Sequence, residues 1–592
     1  MSSRALYLRD ADDLRRNAGQ WEAYESRGHC VVLAGPGSGK TKTLTTKLAR
    51  ILHEDVRPPR GVACITFSNE CAKELEIRLV RLGIDADERL FVGTIHSFSL
   101  TEIILPYAKI AKLGLPEDFK VATEREQALA LKNAHRLVTG QQNHAQDLKY
   151  SLGRHRRSIL DRDSSEWRTV SPEMSQLVEA YEAELRKMGL IDFDDMPLLA
   201  VSALKAHPWL RRAIVAKFPV LAVDEYQDLG LALHRMVMGL CFSAGSRLFA
   251  VGDADQSVYG FTGAHPELLQ RVANRSDVQT VRLEFNYRCG SNIVVASEYA
   301  LGEVRGYQCP ESAHEGTIFF HALHGDYGQQ ANHLFSVVFP ELRNRFDDFK
   351  LGDVAILYSA AWIGDAVAQA ARDFGLGILR SDANAIYPRS SRIMRWLEAC
   401  ALWCCSGWRT GRPEFSKLTR DGARLFADGL STPESRLGFQ RQLIGSLWNR
   451  RERTASIHEW LTGLRAEVLE GLLSDNMATY EAETLHTFID KCAPGKDLYA
   501  MTLEEFAGDG QHNERVTLSS LHSAKGREFR IVILFAMDAG RIPRNGASAS
   551  EMREARRSFY VGFTRPQDEL HIVHSASRPS PFVTEVRQRM GH

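Results

Sequence analysis

The sequence predicts an α/β protein with two domains built on parallel sheets, each carrying a mainly α-helical insertion. Short apolar runs alternate with helical patterns in two separate zones, the signature of strands laid side by side through crossover helices. Each zone is interrupted by a strand-poor stretch of amphipathic pattern. The 592 residues suffice for several such units, at about 100–200 residues for each hydrophobic core.

The first zone runs from about residue 20 to 285 and holds the strand-like runs CVVLAG (30–35), VACITF (62–67), LFVGT (90–94), VLAVDE (220–225) and LFAVGD (248–253). The second holds VAILYS (354–359), VTLSSLHS (516–523), RIVILFA (530–536) and ELHIVHS (569–575). Between them, residues 101–195 contain EREQALALKNAHRLV, and residues 401–511 contain LRAEVLEGLL and YEAETLHTFIDKC, all with helical spacing of apolar positions. No internal repeat or low-complexity tract is visible. The run KYSLGRHRRSILDR (149–162) is locally basic, and a solvated helix face accounts for it as well as a nucleic-acid patch does.

Composition excludes several classes. Lys plus Arg total 74 and Asp plus Glu total 74, so attraction to a polyanion must come from local patches rather than a global field. A hydrophobic fraction of 44% and a charged fraction of 25% belong to an ordinary globular protein, not a disordered one. No apolar run approaches the ~20 residues needed to cross a bilayer, and the start MSSRALYLRDADDLRR is unlike a secretory signal. A cytoplasmic protein without membrane association is expected. The ten cysteines contain no CxxC pair. Cys400, Cys404 and Cys405 sit in LEACALWCC with no histidine nearby, so they read as reduced thiols buried in a helix, and no structural metal is expected.

The strongest local signal is VVLAGPGSGKT at 31–41, a strand, then a glycine-rich loop, then the helical pattern TKTLTTKLARIL. Residues without side chains let successive backbone N–H groups curl around a phosphate at a helix N-terminus. Across Ala34, Gly35, Pro36, Gly37, Ser38, Gly39, Lys40 and Thr41, the glycines supply the turns, Lys40 reaches the β- and γ-phosphates, and the Thr41 hydroxyl can ligate Mg²⁺. Ala34 takes a position where glycine is commonest. A loop of this kind needs a metal partner and a water activator, and VLAVDEYQD (220–228) offers both. Asp224, delivered by a buried strand, suits the Mg²⁺ carboxylate, and Glu225 beside it suits a general base. Two acids at the dipole-favoured start of a helix are the alternative reading of that pair.

Further segments fix the resemblance: TFSNECAKEL (66–75), VGTIHSF (92–98), LIDFDDM (190–196), FAVGDADQSVYGFTGA (249–264), LEFNYRC (283–289), LSSLHSAKGREF (518–529) and EARRSFYVGFTR (554–565). With the glycine-rich loop, the set resembles the UvrD/Rep family of superfamily 1 DNA helicases, motif for motif and in order. The resemblance implies two RecA-like domains, the first at 1–100 and 196–284 and the second at 285–400 and 512–592, with insertions at 101–195 and 401–511. It implies that ATP with Mg²⁺ binds in the cleft between them. Gln20 matches the family's adenine-reading glutamine, Tyr287 the aromatic that stacks on the base, and Glu528 the acid at the ribose. Lys42 stands where many relatives carry arginine, which weakens a planar contact there. Gln256 matches the residue that orients the attacking water or senses the γ-phosphate, and Arg288 and Arg565 match the two arginines that reach that phosphate. Pro566 follows Arg565, which suits a finger held extended just ahead of a helix start.

For DNA, the resemblance places stacking residues at Phe67, Tyr259 and Phe261, and contacts to phosphate, sugar or base at Asn69, Thr94, His96 and His522. Phe261 replaces a frequent tryptophan. Both insertions are short for the family, especially the second, and the Gly-Ile-Gly type duplex-contacting motif is missing there; SGWRTGRPEF (406–415) is only a basic loop. The leading expectation is an ATP-driven 3′-to-5′ translocase and helicase on single-stranded DNA or a 3′-tailed duplex. A second is the ATPase subunit of an antiviral or nuclease complex, with a nuclease as partner protein. A third is an ATP-gated DNA-binding module that does not unwind.

Overall fold

The computed structural model describes residues 3–84, 89–116, 118–140, 145–260, 263–382, 385–388, 391–411, 413–426, 429–473, 479–496, 498–507 and 515–591. The chain forms two compact units, Met1–Ala322 with Ala524–His592, and Leu323–Ser523.

The first unit is organised by a six-stranded sheet of β1 (His29–Ala34), β2 (Val62–Thr66), β3 (Leu90–Thr94), β4 (Val220–Val223), β5 (Arg247–Gly252) and β6 (Val278–Leu283). Their order is β3-β2-β4-β5-β1-β6, with every neighbouring pair parallel. The strands read as unbroken apolar runs because both faces are covered. Val31, Ala63, Ile65, Leu221, Val223, Leu248 and Ala250 enter one core cluster. Their neighbours Cys30, Val32, Val62, Cys64, Val220, Ala222, Phe249 and Val251 enter the other, as the alternation of side chains along a strand requires. The helix α1 (Lys40–Arg50) follows β1 across the glycine-rich loop.

The four expected strands of the second zone form as β8 (Val354–Tyr358), β10 (Arg515–Ser520), β11 (Phe529–Leu534) and β12 (Pro566–Ser575), joined by β7 (Thr317–Leu323) and β9 (Gly377–Arg380). In the first unit β11 pairs parallel with β12, which has β7 as a neighbour. In the second unit β10 lies between β9 and β8, parallel to both. The chain is therefore α/β with parallel sheets, as expected. Pro566 opens β12 rather than a helix. The helix α5 (Ala549–Phe563), started by a reciprocal Ser548–Glu551 capping box, ends at Thr564, so Arg565 lies between a helix end and a strand start.

The first insertion contains α2 (Glu124–Thr139) and α3 (Pro172–Lys187), with a short parallel ladder pairing Lys120 with Leu190 and Val121 with Ile191. At its centre Arg156, with 1% of its side chain exposed, donates to Glu182 at 2.9 Å, Asp192 at 2.6 Å and Asp195 at 2.7 Å. Burial alone would weaken its charge, but Asp192, Asp195 and Glu182 outweigh burial and hold the guanidinium protonated. The helix α4 (Ser291–Leu301) precedes β7 in the chain. In the second unit a helical core gathers Trp396, Trp403, Phe426, Phe439 and Phe488. Cys400, Cys404 and Cys405 are buried in the helical run Arg392–Leu402 and its continuation Trp403–Gly407.

Two outcomes follow. Arg156→Ala leaves Asp192 buried without its cation, while Asp195 keeps Arg186 at 2.9 Å, and costs about 3–5 kcal/mol; hydrogen exchange of α3 amides should accelerate accordingly, and unchanged exchange would refute this role. In the native protein only Cys71 and Cys309 are partly exposed and the other eight cysteines are buried, so a thiol reagent should titrate two groups before unfolding and ten after it.

Candidate nucleotide and DNA site

The glycine-rich loop leaves β1 at Ala34 and enters α1 at Lys40. Gly37 and Gly39 have φ of +66° and +79°, a region that side-chain-bearing residues occupy at a cost. Gly37 is also required by close approach, since a Cβ there would stand 2.4 Å from Asn286 Oδ1 and 2.8 Å from Arg288 Cβ. The Ser38 hydroxyl donates to the Gly35 carbonyl at 2.7 Å, and the Gln20 amide donates to the Ser38 carbonyl at 2.8 Å. Gln20 thus touches the loop directly. Lys42 reaches outward to Asp13 at 3.1 Å.

The strand β4 delivers Asp224, whose N–H donates to the Ile65 carbonyl at 2.8 Å. Glu225 then turns the chain with φ of +50°, a left-handed conformation that costs a non-glycine residue about 1–3 kcal/mol and clusters at functional sites. Its carboxylate lies 3.7 Å from Lys40 Nζ and 3.8 Å from Lys525 Nζ, and accepts from the Gln227 amide at 2.5 Å. Burial would raise its pKa, but Lys40, Lys525, Gln227 and Arg565 together outweigh burial and keep Glu225 well below the usual carboxylate range. Asp224 goes the other way: burial and the charge of Glu225 push it up. Neighbouring acids driven apart in this way can take different roles.

Gln256 connects this pair to the C-terminal part of the chain. Its amide N–H donates to Asp253 Oδ2 at 2.6 Å, and its amide oxygen accepts from Arg565 Nη2 at 3.0 Å. Arg565 is 1% exposed. It also donates to the Val561 carbonyl at 2.9 Å, the Arg527 carbonyl at 3.3 Å and the Thr564 hydroxyl at 3.1 Å. Burial and the adjacent Arg288 push its guanidinium down to about 9. Arg288 pairs with Glu528 at 2.8 Å. The Tyr287 hydroxyl accepts from the Asn17 amide at 2.8 Å, and its backbone N–H donates to the Gly37 carbonyl at 2.9 Å. Gln20, the loop, Asp224, Glu225, Gln256, Tyr287, Arg288, Glu528 and Arg565 all lie in the first unit, although they come from opposite ends of the sequence.

Of the residues assigned to DNA, Phe67 and Tyr259 stack with ring centroids 4.4 Å apart, and Lys525 Nζ stands 5.7 Å from the Tyr259 ring. His96 meets the edge of Phe193, which is half-exposed, at 5.9 Å. The Thr94 hydroxyl caps the following turn by accepting from Ser97 N–H at 3.2 Å. Asn69 opens a helix, Asn69–Arg81; its side chain and all of Phe261 lie outside the described residues. His522 belongs to the second unit, where burial pushes its imidazole down.

Profiles of known families match the same two regions of sequence. The UvrD/REP helicase N-terminal domain matches residues 16–277, and the UvrD-like helicase C-terminal domain matches residues 472–577. The chain belongs to the UvrD/Rep family of ATP-dependent DNA helicases. It is 26% identical to ATP-dependent DNA helicase Rep of Escherichia coli, across 97% of this chain and 94% of that protein. It is 25% identical to ATP-dependent DNA helicase PcrA of Leuconostoc citreum, across 96% and 84%. For PcrA of Staphylococcus aureus the values are 24%, 97% and 86%.

Residues missed in the sequence complete the geometry. Gln227, fully buried, holds Glu225 from one end of its amide and accepts from Asp253 N–H at 2.9 Å with the other. Lys525 ion-pairs with Asp228 and donates to the Gln256 carbonyl at 2.6 Å. Its position inside SAKGREF was the one available signal. Lys525→Met should leave Asp228 buried and unpaired and cost about 3–5 kcal/mol, whereas Lys525→Met combined with Asp228→Leu should recover most of that loss; equal stability of the single variant and wild type in chemical denaturation would contradict the pairing.

Proposed function

We propose that the chain hydrolyses ATP with Mg²⁺ to move along single-stranded DNA in the 3′-to-5′ direction, separating a 3′-tailed duplex in the cytoplasm. The observation that carries the reading is the chain of contacts from Lys40 through Glu225 to Gln256 and Arg565. Glu225, kept anionic, is the base that takes a proton from the attacking water. Gln256, with its amide oriented by Asp253 and Arg565, aligns that water. Lys40, Arg288 and Arg565 offset charge building on the γ-phosphoryl oxygens, where an arginine is worth about 10³–10⁵ in rate.

Thr41 and Asp224 are the residues that would hold Mg²⁺ beside the bound nucleotide. The donor set fits a hard cation: Asp224, 5% exposed, brings a carboxylate to the end of β4 and Thr41 a hydroxyl to the first turn of α1, oxygen ligands of the kind Mg²⁺ takes. When bound, the ion neutralises the β- and γ-phosphates and orients them. Among the described residues no group of three or more His, Cys, Asp or Glu could hold a metal without such help, and no described helix is long and apolar enough to cross a membrane.

Coupling to DNA has a physical route. Lys525 stands over Tyr259, one of the stacking aromatics, and also contacts Asp228 and the Gln256 carbonyl. A base stacked on Tyr259, worth about 1–3 kcal/mol, therefore bears on the ammonium that helps hold Glu225 anionic.

Lys40→Ala and Glu225→Gln should each abolish ATP hydrolysis stimulated by single-stranded DNA, and normal turnover in either would refute the assignment. Arg565→Ala should lower kcat by about 10³-fold or more with a much smaller effect on nucleotide affinity. Unwinding of a 3′-tailed but not a 5′-tailed duplex is expected; DNA-stimulated hydrolysis with neither substrate unwound would favour the ATPase subunit of a nuclease complex.

A further inference from the structure

The segment Arg305–Gln308, between α4 and β7, contains no residue of the helicase motifs. It nevertheless touches three parts of the nucleotide site. Arg305 holds Asp255 with a two-pronged fork, Nε to Oδ2 at 2.6 Å and Nη2 to Oδ1 at 2.8 Å. Asp255 immediately precedes Gln256 in the chain. Tyr307 lies against the phosphate loop so closely that a Cβ on Gly35 would stand 2.3 Å from its ring. Gln308 donates to the Glu284 carbonyl at 2.9 Å and accepts from Asn286 N–H at 2.8 Å, fixing the turn that leads to Tyr287 and Arg288. One carboxylate anchors the segment to α4, since Glu298 Oε1 accepts from the N–H groups of both Arg305 and Tyr307 at 3.0 Å.

A partly exposed ion pair is usually worth only about 0–1 kcal/mol to stability, so Arg305 would be a poor investment as a structural clamp alone. What it does control is direction: a planar guanidinium fixes both oxygens of Asp255 in one plane, and with them the backbone on which Gln256 is mounted. Tyr307 supplies a flat apolar floor where a phosphate loop must not shift. We infer that Arg305 and Tyr307 are positioning residues of the nucleotide site, Arg305 holding the Gln256 turn in its working orientation and Tyr307 holding the phosphate loop in its nucleotide-binding shape.

The two roles separate in kinetics. Displacing a mounted catalytic group by a fraction of an ångström lowers turnover without weakening ground-state binding, whereas loosening the phosphate loop weakens nucleotide binding. In steady-state ATP hydrolysis by the full chain with saturating oligothymidine, Arg305→Ala and Asp255→Ala should each lower kcat about tenfold with KM for ATP within about twofold of wild type. The double variant should be no slower than the slower single one, because both break one contact. Tyr307→Ala should raise KM for ATP about tenfold, while Tyr307→Phe keeps the ring and behaves as wild type. Turnover is expressed per nucleotide-binding site titrated with a fluorescent ADP, so loss of folded protein does not imitate a loss of kcat. Arg305→Lys keeps the charge without the fork and should stay several-fold slow with an unchanged unfolding temperature. Multiplying losses in the double variant, full turnover per site in Arg305→Ala, or an unshifted KM in Tyr307→Ala would overturn the inference. Because it presupposes that the site hydrolyses ATP, the wild type is measured first: no DNA-stimulated hydrolysis there would overturn both readings, whereas an active wild type with indifferent variants overturns this one alone.

Discussion

One carboxylate governs the arrangement of the site. Glu225 is largely withdrawn from water, with 17% of its side chain exposed, on a left-handed residue at the end of β4, and an ion in such a place is costly unless opposite charge surrounds it. The surrounding groups come from far apart in the sequence: Lys40 from the phosphate loop, Gln227 from the next turn, Lys525 and Arg565 from the C-terminal part. No local segment could satisfy it. The sheet must therefore set β1 and β4 close together, and the residues after Ala524 must fold onto the same unit, before the anion is tolerated.

The same constraint explains why small residues and amides occupy the gaps. Asn286 and the first atoms of Arg288 press against Gly37, leaving space only for hydrogen. Gln227 and Gln256 each present a donor to a carboxylate and an acceptor to a separate N–H group. An amide does this from two separate atoms without adding charge. A glutamate at either place would add a further anion to a site where Asp224 and Asp253 are already pushed up by burial.

How much of this the sequence discloses depends on the kind of order involved. The central strands are legible because both faces are buried, which writes them as β-branched runs such as VVL and VIL. The strands that went unread, β6, β7 and β9, each have a single neighbour and are partly exposed along their length, so polar residues such as Gln279, Arg282 and Arg380 dilute the pattern. The phosphate loop and the acids after β4 are legible because glycine spacing and paired acids are local. Gln227, Asn17, Lys525, Arg305 and Tyr307 are common residue types whose meaning lies in partners remote in sequence, up to 297 positions away for Lys525 and Asp228. Pro566 was misjudged for a related reason: a fixed φ suits the start of a helix and the start of a strand equally, and only the pairing of Phe529 with Pro566 distinguishes them.

Two buried ionic clusters in the first unit show how geometry separates architecture from chemistry. Around Arg156 the contacts to Glu182, Asp192 and Asp195 are 2.6–2.9 Å, short charge-assisted bonds that engage all three guanidinium nitrogens. Tyr181 also donates to Asp192 at 3.0 Å. That cluster is closed, and its work is to hold the insertion together. Around Glu225 the two ammonium groups stay at 3.7 and 3.8 Å, beyond hydrogen-bond distance but near enough for their field to keep the carboxylate ionised. Gln227 binds only one of the two carboxylate oxygens directly, Oε2; the other, facing Lys40 at 3.7 Å, is held by field and retains the lone pairs that a base needs to accept a proton. The difference of about 1 Å between the two clusters marks one as framework and leaves the other able to react.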